Sequence, residues 1–103
     1  MYDAWHDFAA VKPKGRTMTA NIVGPICESS DTFAMGREID EVAAGDLAIF
    51  RTAGAYGATM ANTYNSRALV PEVMVDGSKW AVVAARIEPE TILAAEAVPE
   101  WLA

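Results

Sequence analysis

The sequence predicts a mostly β domain with short helices, of a Greek-key or barrel-like kind. Three observations lead there. Arg16 to Val23 alternates apolar Met18, Ala20 and Ile22 with Thr17 and Thr19 on the other face, the period of a half-buried strand. Leu47-Ala48-Ile49-Phe50 is an unbroken apolar run directly behind the turn residues Gly45-Asp46, the signature of a buried strand. Leu69 to Val75 and Lys79 to Ile87 flank Asp76-Gly77-Ser78, the composition of a tight β-hairpin. About four or five short strands with little helix bury their apolar faces most simply by packing sheet on sheet or by closing on themselves.

The other elements follow in chain order. In residues 1–10, Tyr2, Trp5, Phe8 and Ala9 recur every three to four positions, which predicts one or two helical turns ended by Lys12-Pro13-Lys14-Gly15. Gly24-Pro25 closes the first strand, and Cys27 to Gly36 reads as a loop or short turn. Glu38 to Val42 is expected as a short edge strand, and the run Leu47–Phe50 as the core strand. Gly54-Ala55-Tyr56-Gly57 is loop-like, Ala58 to Asn62 suits a helical turn, and Thr63 to Arg67 is polar. Pro89-Glu90-Thr91 opens a short helix through Ala95, with proline where a first helical turn tolerates it. Pro99-Glu100-Trp101 stands close to the end, and there is no internal repeat.

Composition bounds the function. The 103 residues suffice for one domain, and 52% hydrophobic with 21% charged residues excludes compositional disorder. A net charge of −6, with eight basic residues scattered and not in a run, makes nucleic acid an unsuitable partner. No stretch approaches the ~20 apolar residues of a membrane helix, so no membrane partner is expected. Met1 to Phe8 has neither the basic start nor the apolar run of a signal peptide, which predicts a soluble, cytoplasmic protein. Cys27 is the one cysteine, so no internal disulfide can form and the thiol is available for chemistry. His6 is the one histidine, which leaves no histidine pair for a metal; beside Trp5 on the polar side of the expected turn, it reads as structural or solvated.

Two stretches carry more information than their periodicity. They are Gly24-Pro25-Ile26-Cys27-Glu28-Ser29-Ser30-Asp31, and Gly54-Ala55-Tyr56-Gly57-Ala58-Thr59-Met60 leading into Tyr64-Asn65-Ser66-Arg67, followed by Pro71-Glu72-Val73. In this order and spacing the chain resembles the diaminopimelate decarboxylases, fold-type III enzymes that use pyridoxal 5'-phosphate (PLP). The family has a TIM-like barrel that holds the cofactor and a C-terminal β domain of the alanine racemase-like type. The resemblance implies that residues 1–103 are that β domain, incomplete and without the barrel.

The resemblance also implies roles. The family removes one carboxylate of meso-2,6-diaminopimelate to give L-lysine and carbon dioxide, with PLP as electron sink. Its motif cysteine, here Cys27, returns a proton to the substrate in the neighbouring subunit's active site, a task suited to a thiol. Glu28 would bind the far amino group of the substrate, and a glutamate here favours diaminopimelate over ornithine, for which aspartate is usual. Tyr56 would lie over cofactor and substrate, and Tyr2, the tail of an Arg-Pro-Ala-Leu-Tyr-Asp-Ala stretch, would touch the substrate. Asn65, Ser66 and Arg67 would shape a loop or an interface. Out of context, Cys27 would read as a small packed hydrophobe, Glu28 as a solvated acid, and Tyr56 and Tyr2 as ordinary packing aromatics.

Two departures from the family stand out. Ser30 occupies the glycine position of the family's Cys-Glu-Ser-Gly-Asp, and would strain a loop that needs φ > 0 there. Lys12, Lys14 and Lys79 are the only lysines, and none matches the lysine that carries the cofactor. The expected partners are a small-molecule substrate and a second chain, either a homodimer mate or a barrel-bearing chain. The chain alone is expected to be inactive, as part of a decarboxylase. The alternative is a catalytically silent remnant that serves as a dimerisation or interaction module.

Overall fold

A computed structural model of the chain describes residues 3–102. These form two compact units, Met1–Met60 and Ala61–Ala103, each taken by itself.

The first unit holds four strands: β1 (Asp7–Ala10), β2 (Thr17–Val23), β3 (Thr32–Asp40) and β4 (Ala48–Arg51). β2 and β3 form an antiparallel hairpin, with Met18 opposite Ile39 and Ala20 opposite Arg37. Along β2 half-buried Met18, Ala20 and Ile22 alternate with exposed neighbours, as the sequence predicts. The register then slips, so that Ile22 faces Ala34 and Val23 faces Thr32. Met35 and Gly36 thus oppose the single residue Asn21. Gly36 takes φ +56°, and its N–H donates to the Asn21 side-chain carbonyl at 2.8 Å, which satisfies the amide the bulge removes from the ladder.

β1 pairs antiparallel with β4, Phe8 opposite Phe50 and Ala10 opposite Ala48. Phe50 stacks on Phe33 of β3 at 4.4 Å between ring centroids and meets Phe8 edge-on at 5.4 Å, so one aromatic cluster joins the two strand pairs. The Ala10 N–H donates to the Asp40 carboxylate at 2.9 Å and ties β1 to the end of β3. Ala10, Ala34, Ile39 and His6 are the buried residues among those described.

The second unit is built on the hairpin of β5 (Glu72–Asp76) and β6 (Lys79–Ala84). Asp76 pairs with Lys79 across the two-residue loop Gly77-Ser78, and Gly77 sits at φ +58° as a primed hairpin turn requires. Reciprocal bonds between Leu69 and Ile87, at 2.9 and 3.0 Å, extend the pairing to the ends the sequence marked. Beyond it lie α1 (Pro89–Leu93), with proline in its first turn, and a 3-10 turn at Glu100–Leu102. Another, at Tyr64–Ser66, holds Asn65 and Ser66 in left-handed backbone, consistent with the loop-shaping expected of them. No residue described in this unit is buried, and Trp80 and Trp101 are 71% and 84% exposed.

Several expectations need correction. Residues 1–10 form no helix where they are described; Asp7–Ala10 is a strand, because pairing with β4 and the Phe8–Phe50 contact outweigh a short helical spacing. The loop expected from Cys27 to Gly36 ends at Asp31: Thr32-Phe33-Ala34-Met35 is already strand, and Gly36 is a bulge inside it, not a terminator. The edge strand expected at Glu38–Val42 is the far end of that nine-residue strand, which stops at Asp40. The expected core strand contributes mainly half-buried Phe50, while Ile49 is 40% exposed; the buried hydrophobic side chains described lie on β1 and β3. The helical turn expected at Ala58–Asn62 is present as a 3-10 turn, Ala58–Met60. Strands predominate, but they pair as three two-stranded sheets and not as a closed barrel.

Candidate functional site

The β2–β3 hairpin carries residues 24–31 as its connecting loop, and the loop is wired to itself. Gly24 N–H donates to the Asp31 carbonyl at 2.8 Å, and Asp31 N–H donates to the Glu28 carbonyl at 2.9 Å. The Asp31 carboxylate accepts from Ile26 N–H at 2.9 Å. Glu28 Oε1 accepts from Ser30 N–H at 3.1 Å and from the Ser29 hydroxyl at 3.4 Å. Thr32 Oγ1 donates to the Ser29 carbonyl at 3.0 Å. Cys27, between two residues so held, is exposed.

The Ser30 amide, and after it the Ser30 hydroxyl, hold the Glu28 carboxyl below its ordinary value, with a smaller pull from Ser29. Glu28 is therefore a carboxylate at neutral pH, able to meet a cation while its Oε1 closes the loop. Ser30 is not among the described residues with positive φ, so the serine here strains no left-handed position. It adds a hydroxyl to the loop that a glycine would lack.

Tyr56 stands on a second loop, after β4. Ala58 N–H donates to the Ala53 carbonyl at 2.7 Å and Thr59 N–H to the Gly54 carbonyl at 3.0 Å, which winds the chain tightly. At Gly57 a Cβ would strike the Ala53 carbonyl oxygen, so only glycine fits. Tyr56 takes φ +59°, uncommon for a bulky residue, and remains 53% exposed. A strained, outward aromatic held between glycines is an arrangement more typical of a binding site than of packing.

Tyr2 lies outside the described residues. The segment after it, Asp3 to Trp5, lines a cleft of about 420 Å³ together with Ser29 and Ser30 of the loop and with Arg37. Cys27, Glu28 and Tyr56 do not line that cleft, so the structure brings Cys27 and Glu28 together on one loop and leaves Tyr56 on another.

Arg37 and Asp31 carry roles that the sequence does not mark, and His6, expected to be structural or solvated, is resolved to the first. His6 is 7% exposed, with Nδ1 3.2 Å from the Thr52 carbonyl; it is structural and not solvated. Arg37 lies 3.5 Å over the Trp5 ring and donates to the His6 carbonyl at 2.7 Å, fixing the segment that lines the cleft. Asp31 holds the Cys27 loop. The fold shows these roles: those of His6 and Arg37 join residues far apart in sequence, and that of Asp31 depends on how the motif folds back on itself.

A PLP site needs a lysine link and groups to flank the ring. Lys14 is committed to Asp46 at 3.0 Å. Tyr56 fits the flanking role: it offers ring and hydroxyl, and at neighbouring Gly54 a Cβ would meet nothing within 4 Å. Among the described residues, Tyr56 is the one whose chemistry would suit a flank of such a site.

Residues 1–54 match the family model of the pyridoxal-dependent decarboxylase C-terminal sheet domain. The chain is 51% identical to the diaminopimelate decarboxylase of Zymomonas mobilis over 99% of its own length and 24% of that protein. It is 46% identical to the Neisseria meningitidis serogroup A enzyme of the same name over 93% of this chain and 24% of that one. The crystal structure of diaminopimelate decarboxylase from M. jannaschii in complex with L-lysine superposes on it with a TM-score of 0.88 at 35% identity, covering 100% of this chain and 24% of that one. The chain thus spans about a quarter of the relatives it matches.

Proposed function

Since this chain belongs to the pyridoxal-dependent decarboxylases, as their C-terminal sheet domain, we propose that it works as part of a diaminopimelate decarboxylase that converts meso-2,6-diaminopimelate to L-lysine and carbon dioxide in the cytoplasm. In this reading it forms part of a Greek-key, barrel-like domain of the alanine racemase-like type and acts together with a PLP barrel. It is inactive alone.

PLP, when bound, supplies the electron sink that lets the carboxylate leave as carbon dioxide with its bonding pair left behind. The residues of this chain act around it. The Cys27 thiol gives its proton to the carbon that lost the carboxylate, and the resulting thiolate regains a proton from water. Glu28 pairs with the distal ammonium and sets the substrate length, Tyr56 covers cofactor and substrate, and Tyr2 touches the substrate.

The observation that carries this reading is the 24–31 loop, where an exposed cysteine adjoins a carboxylate kept ionised by the loop's own amide and hydroxyl donors. Association with a second chain, as a homodimer or with a barrel-bearing chain, is supported by the exposed apolar side chains of β5 and β6. That same surface favours the second reading, a silent dimerisation module.

A chimera separates the two. This chain replaces the matching segment of the Zymomonas mobilis enzyme, and lysine formation from meso-diaminopimelate is measured. Turnover near that of the parent enzyme is expected. A chimera that folds and associates but makes no lysine supports the silent module.

A further inference from the structure

We infer that Asp31 is a positioning residue for Cys27, one that fixes where the thiol stands while touching neither substrate nor cofactor. The inference rests on the proton-donor reading of Cys27. Asp31 grips the loop at every second residue: its carbonyl accepts from Gly24 N–H, its carboxylate from Ile26 N–H, and its own N–H donates to the Glu28 carbonyl. Cys27 is therefore bracketed on both sides by bonds to one residue. Two of these bonds are backbone and survive any side-chain change. The third, at Ile26, directly precedes Cys27 and depends on the carboxylate alone.

Gly24 reports the same arrangement from the opposite side. A Cβ there would collide with the Asp31 carboxylate, so glycine at 24 is the space the carboxylate occupies. Glu28 closes the other half of the loop through Ser29 and Ser30, and no bond from it reaches Ile26. A charge-assisted bond from a carboxylate to a backbone amide is among the stronger a loop can make. Displacing a proton donor by about 1 Å can cost on the order of 10²-fold in rate.

The test uses the holoenzyme of the chimera. Asp31→Ala is expected to lower kcat about tenfold or more with KM within about twofold, because the donor moves and substrate binding does not. In D2O the product should lose stereochemical purity at the reprotonated carbon, and amide exchange across residues 24–31 should quicken. Asp31→Asn keeps an oxygen acceptor for Ile26 N–H and should recover most of kcat. Gly24→Ala, which evicts the carboxylate, should reproduce the Asp31→Ala pattern, and the double variant should be no worse than either single one; it also serves if Asp31→Ala does not fold. Unchanged kcat and stereochemistry in Asp31→Ala, or additive effects in the double variant, overturn the inference if Cys27→Ala itself slows turnover. If Cys27→Ala is also silent, the donor reading fails first, and faster exchange at 24–31 alone then leaves Asp31 a purely structural residue.

Discussion

Replacing Phe50 by alanine tests how the first unit is held together. Phe50 stacks on Phe33 at 4.4 Å and meets Phe8 at 5.4 Å, so its loss removes the ring pair that joins β1–β4 to β2–β3 and a second ring pair within β1–β4. Each pair is worth about 0.5–1.5 kcal/mol beyond area burial. Fully burying a phenylalanine contributes about 1.5–3 kcal/mol, of which a half-buried ring forfeits roughly half. The sum is ~2–4 kcal/mol, large against the marginal stability of a small domain. Urea unfolding of the chain followed by far-UV circular dichroism should show the midpoint fall by that equivalent at unchanged m-value. Met35→Ala, on β3 close to Phe33 in sequence but 68% exposed, should cost under about 0.5 kcal/mol. Equal costs for the two variants would refute the aromatic cluster as the joint.

Three further outcomes follow from the site. In the chimera, Glu28→Gln should raise KM for meso-diaminopimelate about tenfold with kcat little changed, and should weaken discrimination against ornithine, measured by competing the two substrates. Tyr56→Phe loses one hydroxyl bond, worth about 0.5–1.5 kcal/mol, so PLP affinity and kcat/KM should each fall roughly two- to tenfold in cofactor titration and steady-state assays. Because the folded-state pKa of Glu28 is depressed, its loop bonds are fully present above the ordinary glutamate pKa and are lost as pH falls through the lowered value. The Ser30 amide resonance should report that transition at acid pH, and Glu28→Gln should abolish it.

Local chemistry that closes over a few residues was legible in the sequence. The Asp76–Lys79 hairpin, the alternation along β2 and the proline-led α1 all depend on short-range pattern and turn residues. What depended on distant partners was not. Trp5 and Phe8 share a helical spacing, but the strand Asp7–Ala10 exists because β4 lies beside it some forty residues later. Gly36 read as a stop because a bulge and a terminator look alike in one dimension. Leu47 to Phe50 read as core because an apolar run implies two covered faces, and within this chain the Phe50 face packs on the aromatic cluster while Leu47 and Ile49 stay exposed. At the site, the motif marked Cys27 and Glu28, while the work of Asp31 became visible only once the loop folded back onto Gly24 and Ile26.

Whether Cys27 gives the proton is read most directly from decarboxylation by the Cys27→Ala chimera in D2O, with turnover and product configuration measured together. Loss of about 10²-fold or more in kcat with PLP still bound, and scrambled deuterium at the carbon that lost the carboxylate, is the predicted result. Parental turnover with deuterium placed on a single face would contradict it and leave Cys27 a bystander in the loop.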